Sequence, residues 1–252
     1  PSPTLYINER VNAMWAAGQT IYHLGFGESR FPVHPKIQEA LRANVHQKSY
    51  LAGQGLAELR SAAAAAYRRA MDREIDPSQV IIGPGSKSII YALQLALDAD
   101  LILPLPSWVS YAPQANLLGK PIHLIPASAD DFYDLSIDAL NQTLTRCGER
   151  NKLLLLTSPN NPTGLMYRPD FLRKLADYCR AQGIAVISDE IYESLTYDGF
   201  KSKSIITVEP RLKEQTLLIN GVSKTYSMTG WRIGYAAGPA AVVKAMSNIQ
   251  SQ

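Results

Sequence analysis

The chain has 252 residues, 46% of them hydrophobic, enough to bury a sizeable core as one large α/β domain or two smaller ones. Its 25 basic and 22 acidic side chains leave a formal charge of +3 and are scattered without long runs, which excludes a nucleic-acid stripe and a basic membrane patch. Two cysteines, Cys147 and Cys179, lack Cys-x-x-Cys spacing and exclude a disulfide framework, and no uncharged run approaches the roughly 18 residues of a membrane span.

Pro1-Ser2-Pro3-Thr4 is not followed by a signal-type apolar stretch, so a reducing cytoplasmic setting is expected. Ile7 to Ala17 reads as a short helix, and Ile21-Tyr22-His23-Leu24 leads into Gly25-Phe26-Gly27-Glu28, where glycines imply special backbone angles or close approach of a ligand. From Pro35, suited to a first helical turn, Ile37, Ala40, Leu41 and Val45 recur at helical spacing to about His46. Gly55 to Ala70 is a second such helix, favoured by the alanine run Ala62 to Ala66. The chain then alternates: strand at Val80-Ile81-Ile82, helix from Ser86 to Leu97, strand at Leu101-Ile102-Leu103, helix from Trp108 to Leu118, strand from Ile122 to Ile125. Ser136 to Leu144 is a helix, Lys152 to Thr157 a strand, Pro169 to Ala181 a helix and Ile184 to Ser188 a strand.

Short apolar runs between helices signal parallel strands buried on both faces, hence an α/β, doubly wound, mostly parallel sheet in three αβα layers. Ligands of such sheets collect at the carboxyl ends of the strands. The segments that follow those ends are Gly83-Pro84-Gly85-Ser86-Lys87, Pro106-Ser107-Trp108, Ser158-Pro159-Asn160-Asn161-Pro162, Asp189-Glu190-Ile191-Tyr192 and Gly221-Val222-Ser223-Lys224.

Each residue taken singly has an ordinary reading: a solvated lysine, a strand-end acid, a core tryptophan, a surface arginine. Together they match the parts of one small molecule, pyridoxal 5'-phosphate. Lys224 offers an amine to its aldehyde, and Asp189 a carboxylate that keeps the ring nitrogen protonated. Tyr192 and the Asn161 amide reach the ring's phenolic oxygen, and the Trp108 indole can lie on the ring. Gly85-Ser86-Lys87 opens a helix directly after a strand, where free N–H groups make an anion pocket, and the planar fork of Arg232 suits a phosphate.

Ser158-Pro159-Asn160-Asn161-Pro162-Thr163-Gly164, Ser188-Asp189-Glu190-Ile191-Tyr192 and the run from Ser223-Lys224-Thr225 to Trp231-Arg232-Ile233-Gly234-Tyr235 resemble the class I aminotransferases of pyridoxal phosphate fold-type I, over a likeness that extends from about Gly25 to Gln252. The resemblance implies Lys224 as the Schiff-base lysine with Ser223 beside it. It implies Asp189 at the ring nitrogen, Tyr192 and Asn161 at the ring oxygen, and Trp108 stacked on the ring. Gly85, Ser86, Lys87 and Arg232 match the phosphate site, although Ser86 stands where a second glycine is common. Gly27 matches a substrate-carboxylate glycine, with Trp108 and Asn161 also facing substrate. Tyr50 resembles a tyrosine that reaches the phosphate of a neighbouring subunit, which implies a homodimer. Asn220-Gly221-Val222-Ser223-Lys224 and Trp108-Val109-Ser110-Tyr111 resemble the prokaryotic-type aspartate aminotransferases, in some of which the Lys87 position helps bind an acidic side chain.

The implied activity moves an amino group between an α-amino acid, aspartate or similar, and a 2-oxo acid. A carbon–sulfur lyase on the same fold and a non-catalytic cofactor-binding fragment are the alternatives. Nucleic-acid and membrane partners and a metal are not expected. The expected division is an N-terminal segment 1–34 that packs with a small domain, then a large cofactor-binding domain over 35–252. The C-terminal small domain, with the arginine that clamps the substrate α-carboxylate, is expected to be missing from this chain.

Overall fold

The computed structural model describes the chain except for residues 1, 2, 26, 72, 73, 129 and 131. Helices α1 (Pro3–Ala16), α2 (Pro35–Asn44) and α3 (Ala57–Met71) precede β1 (Val80–Gly83), α4 (Ser86–Ala96), β2 (Ala99–Pro104), α5 (Tyr111–Leu117) and β3 (Ile122–Ile125). Then follow α6 (Ile137–Leu144), β4 (Asn151–Thr157), α7 (Pro169–Ala181), β5 (Ala185–Asp189), α8 (Ile205–Val208), β6 (Thr216–Gly221), β7 (Gly234–Ala237) and α9 (Ala240–Gln250). Local chemistry sets several starts. Pro35 and Pro169 occupy first turns, where a missing N–H costs nothing, and Ser136 caps α6 by accepting from the Ala139 N–H at 3.0 Å.

Two expected starts are corrected, and the first is that of α1, which begins at Pro3 rather than Ile7. The helix anticipated from Trp108 begins at Tyr111, and Trp108 lies in the loop after β2. Pro113 is the reason: in a helix begun at Trp108 its ring would clash with a carbonyl one turn back and forfeit a hydrogen bond, whereas in the first turn from Tyr111 it does neither.

Among the described residues the strands form one sheet in the order β1-β7-β6-β5-β4-β2-β3, parallel except for β7, which runs antiparallel to both β1 and β6. Four consecutive leucines of β4 show why the centre is buried on both faces. Leu154 and Leu156 pack with α3, α6 and α7 residues such as Tyr67, Leu140 and Leu175, while Leu153 and Leu155 pack with Ile90 and Leu93 of α4 and Met246 of α9. Each fully buried leucine contributes about 2 kcal/mol. The result is the expected three-layer αβα arrangement.

The reversed β7 decides where the chemistry sits. Chain leaving β6 at the carboxyl edge of the parallel strands returns through β7 from that same edge, so the connecting segment 222–233, with Lys224 and Arg232, stays there. Gly234 lies between Gly83 and Gly221 in register, and a Cβ on it would overlap the Ser86 nitrogen. This glycine row lets the start of α4 approach the sheet.

On the face opposite Asp189, Glu190 is buried and accepts a hydrogen bond from the Ser188 hydroxyl at 2.8 Å. Burial, with the charges of Glu193 and Asp189 adding to it, pushes the Glu190 carboxyl up to about 8. A folded-state value raised above the ordinary 4.5 means stability that is full below about pH 4.5 and lost as the pH rises through about 8. Glu190→Gln is therefore expected to flatten the pH dependence of urea unfolding over this window, removing a fall of up to about 5 kcal/mol. An unchanged slope would show that Glu190 is not its source.

Candidate active site

A cavity of about 600 Å³ opens at the carboxyl edge of the parallel strands. Of the residues singled out in the sequence, Gly27, Ser86, Lys87, Trp108, Asn161, Asp189, Tyr192, Ser223, Lys224 and Arg232 all line it. They come from segments up to two hundred residues apart. Gly85 stands behind the wall, against Arg232, and Tyr50 lies elsewhere, fully exposed. Phe26 of the glycine segment falls outside the described residues.

Asp189 ends β5 and is only 3% exposed although it faces the cavity. Burial pushes its carboxyl up to about 6, against the opposing hydrogen bonds from the Tyr111 hydroxyl at 2.7 Å and the Ile191 N–H at 3.2 Å. Three residues on, Tyr192 accepts at its hydroxyl from the Asn161 amide at 3.3 Å, so two polar groups converge on one point of the cavity. The Tyr192 hydroxyl is itself pushed up, chiefly by burial.

Lys224 is half-buried, and its Nζ donates to the Gly27 carbonyl at 2.6 Å while lying 5.7 Å from the Tyr192 ring centre. Burial lowers its pKa, Glu28 opposes the shift, and the Arg232 charge adds to it. A lowered amine pKa raises the fraction present as a neutral nucleophile. Segment 27–29 is fastened here by further contacts: Thr229 donates to the Glu28 carboxylate, and the Ser227 and Ser29 hydroxyls meet at 2.9 Å.

The anion end is built from backbone. Gly85 has φ +89° and a Cβ there would overlap the Arg232 guanidinium, so only glycine permits the contact. Helix α4 begins at Ser86 with no side-chain cap, which leaves its first N–H groups and the positive end of its dipole toward the cavity. Arg232 sits in the left-handed region at φ 56°, and its Nη1 donates to the Thr229 carbonyl at 2.6 Å. Lys87 completes this side, with Nζ 5.3 Å from the Trp108 ring centre. A group that joins a phosphate, a basic ring nitrogen, a ring oxygen and an aldehyde has a counterpart for each part, so these residues fit pyridoxal 5'-phosphate.

Sequence reasoning missed Tyr111, Glu28 and Thr229 as cavity residues. Tyr111 carried a usable signal, a hydroxyl at the first apolar position of a core helix, where it must find a buried partner. Glu28 and Thr229 carried none, because their meeting depends on a long-range fold. No group of three or more potential metal ligands occurs among the described residues.

The family model for aminotransferase class I and II matches residues 19–252. An aspartate aminotransferase of Bacillus subtilis (strain 168) is 43% identical over all of this chain, which covers 64% of that protein. A probable aspartate/prephenate aminotransferase of Rickettsia bellii is 38% identical with the same coverage. The structure of the Thermus thermophilus aspartate aminotransferase with maleate superposes with a TM-score of 0.93 at 33% identity, over 100% of this chain and 65% of that one. The chain thus spans just under two thirds of these relatives, and it belongs to the class I and II aminotransferase family.

Proposed function

We propose that the chain is the cofactor-binding part of a pyridoxal 5'-phosphate-dependent aminotransferase that moves an amino group between an α-amino acid and a 2-oxo acid. The observation that carries this reading is the convergence of Lys224, Asp189, Tyr192 with Asn161, and Arg232 with the α4 terminus on one cavity. When bound, pyridoxal phosphate supplies an aldehyde that condenses with amines and a ring that accepts the electron pair left when an α-proton departs. The residues do the rest. The α4 amides and Arg232 hold the anionic end, and Ser223 borders the same wall. Asp189 would hold a proton at the ring nitrogen, Tyr192 and Asn161 would donate to the ring oxygen, and Trp108 would cover a ring face. Lys224 would hold the aldehyde, and its Nζ, when free, would act as the general base for the proton at the substrate α-carbon.

Gly27 is the proposed backbone donor to a substrate carboxylate through its N–H, while its carbonyl is the acceptor on which Lys224 Nζ rests. The arginine for that carboxylate is assigned to no residue of this chain. Segment 1–34 is proposed to meet a small domain, and Tyr50 to serve a neighbouring copy in a homodimer. Tyr22, Leu24, Phe31 and Tyr50 are almost wholly open to water, which leaves them accessible for both contacts. Unpaired Cys147 and Cys179 support a cytoplasmic setting, and no helix among the described residues is long and apolar enough to cross a membrane.

Lys87 supports a dicarboxylic substrate, because its ammonium lies beside Trp108 at the cavity wall, and the Thermus thermophilus relative was solved with maleate, a dicarboxylate. Cofactor absorbance followed during single half-reactions is expected to respond to aspartate and glutamate ahead of monocarboxylic amino acids. Lys87→Ala is expected to weaken the aspartate response about tenfold, the value of one charge-assisted hydrogen bond, and to spare alanine. Release of pyruvate and ammonia from cystathionine, with no need for a 2-oxo acid, would replace this reading by a carbon–sulfur lyase.

A further inference from the structure

The Tyr111 hydroxyl has one proton and two oxygen neighbours. It lies 2.7 Å from Asp189 Oδ2 and 3.0 Å from Thr157 Oγ1. An ionised carboxylate only accepts, so the Tyr111 proton points to Asp189, and Thr157 gives its own to the Tyr111 oxygen. The chain of donors therefore runs one way, from Thr157 through Tyr111 to Asp189. All three side chains are buried, and they come from the end of β4, the first residue of α5 and the end of β5, with Thr157 and Asp189 in cross-strand register. The same tyrosine ring stands edge-on to Trp108, with centres 5.2 Å apart at 81°.

We infer that Tyr111, oriented by Thr157, is a positioning residue that keeps Asp189 ionised and aimed into the cavity, so that a proton shared with a pyridine nitrogen rests on the nitrogen. The inference rests on the cofactor function proposed above. Its physical basis is a competition. Burial drives the Asp189 carboxyl toward its neutral form, and the groups that favour its charge are the Tyr111 hydroxyl and the Ile191 N–H. The titratable side chains that feel the Asp189 charge are Tyr111 of α5, Tyr192 and Glu190 of the turn after β5, and Tyr67 of α3. None of these is a cation, and the pKa of each is pushed up, chiefly by burial. With the Tyr111 donor gone, the shared proton shifts toward the carboxylate, and the ring loses its positive charge.

Tyr111→Phe keeps the ring and its contact with Trp108 and removes only the donor. In the cofactor-free chain, carbon-labelled aspartate NMR is expected to show the Asp189 carboxyl binding its proton about tenfold more tightly, with Thr157→Val moving it the same way by less. With pyridoxal phosphate labelled at the ring nitrogen, the nitrogen-15 resonance is expected to move toward the neutral-pyridine position in Tyr111→Phe, and affinity to fall about ten- to a hundredfold. Tyr111→Phe that folds, yet leaves both the Asp189 titration and the nitrogen resonance in place, would overturn the inference and reduce Tyr111 to packing. Should Tyr111→Phe not fold, Thr157→Val carries the same two readouts, and no movement in either overturns it. If the unsubstituted chain forms no cofactor complex, the proposed function fails and the ring-nitrogen role falls with it. The carboxyl titration separates that result from a failure of Tyr111 alone.

Discussion

Lys224→Ala is expected to abolish the lysine-linked absorbance of bound pyridoxal phosphate and its retention through dialysis, and to lower amino transfer by at least about a hundred- to ten-thousandfold, the usual worth of a positioned general base. Alanine cannot replace either function of the amine, covalent attachment or proton transfer. The fold should tolerate the change. Lys224 contributes one hydrogen bond, to the Gly27 carbonyl at 2.6 Å, and its half-buried charge is already disfavoured by burial and by Arg232. Its removal should alter stability by only about 1 kcal/mol. Spectrophotometry before and after dialysis, with urea unfolding as the control for the fold, makes the test. A variant that keeps the lysine-linked band would sink the proposed role of Lys224, and with it the aminotransferase reading.

Asp189→Asn is expected to move stability and function in opposite directions. The Asp189 carboxyl has a folded-state value of about 6 against an ordinary 3.8, so its contribution to stability is full below about pH 3.8 and lost as the pH rises through about 6. At pH 7 to 8 the buried charge therefore costs the cofactor-free chain about 3 kcal/mol. Asparagine removes that cost and keeps an oxygen for the Tyr111 hydroxyl, which should raise Tm by about 5–10 °C in a chain of this size. Amino transfer should nevertheless fall about a hundred- to a thousandfold, as it does when one preorganised electrostatic partner of the reacting group is lost. Calorimetry on the cofactor-free chain and rate measurement on the loaded one give the two signs. Loss of stability and activity together would mark Asp189 as a structural acid whose effect on rate is indirect. The strain of holding a carboxylate in the core at neutral pH is then the cost of a poised partner for the ring nitrogen.

Much of the layered fold was legible because its causes are local. Leu153 to Leu156 read as a doubly buried strand on apolar content alone, and Pro35, Ser136 and Pro169 marked helix starts through backbone chemistry that involves no distant residue. Trp108 misled because apolar spacing continues through it, while the veto lies five residues later in Pro113. The strand Gly234–Ala237 escaped notice for a different reason. Two of its four residues are alanine and one is glycine, so it carries little strand propensity of its own and exists because β1 and β6 hydrogen-bond to it from both sides.

The candidate site divides along the same line. Lys224, Asp189, Tyr192, Asn161 and Arg232 were readable because each sits in a short motif at a strand end, and chemical type with spacing was enough to match them to one cofactor. The electrostatic state of those groups was not readable. Asp189 acquires its raised proton affinity from burial and its donor from Tyr111, 78 residues away, and Lys224 is parked on a carbonyl 197 residues away. What the sequence alone determined, then, is which chemical groups are present and that strand ends display them. Only the tertiary structure decided that a reversed strand returns Arg232 to the rim, that Gly85 gives way to its guanidinium, and that Tyr111 and Thr157 stand behind Asp189. The reason is physical: composition and spacing set local backbone preference, whereas desolvation and hydrogen-bond pairing depend on distances that exist only once the chain is packed.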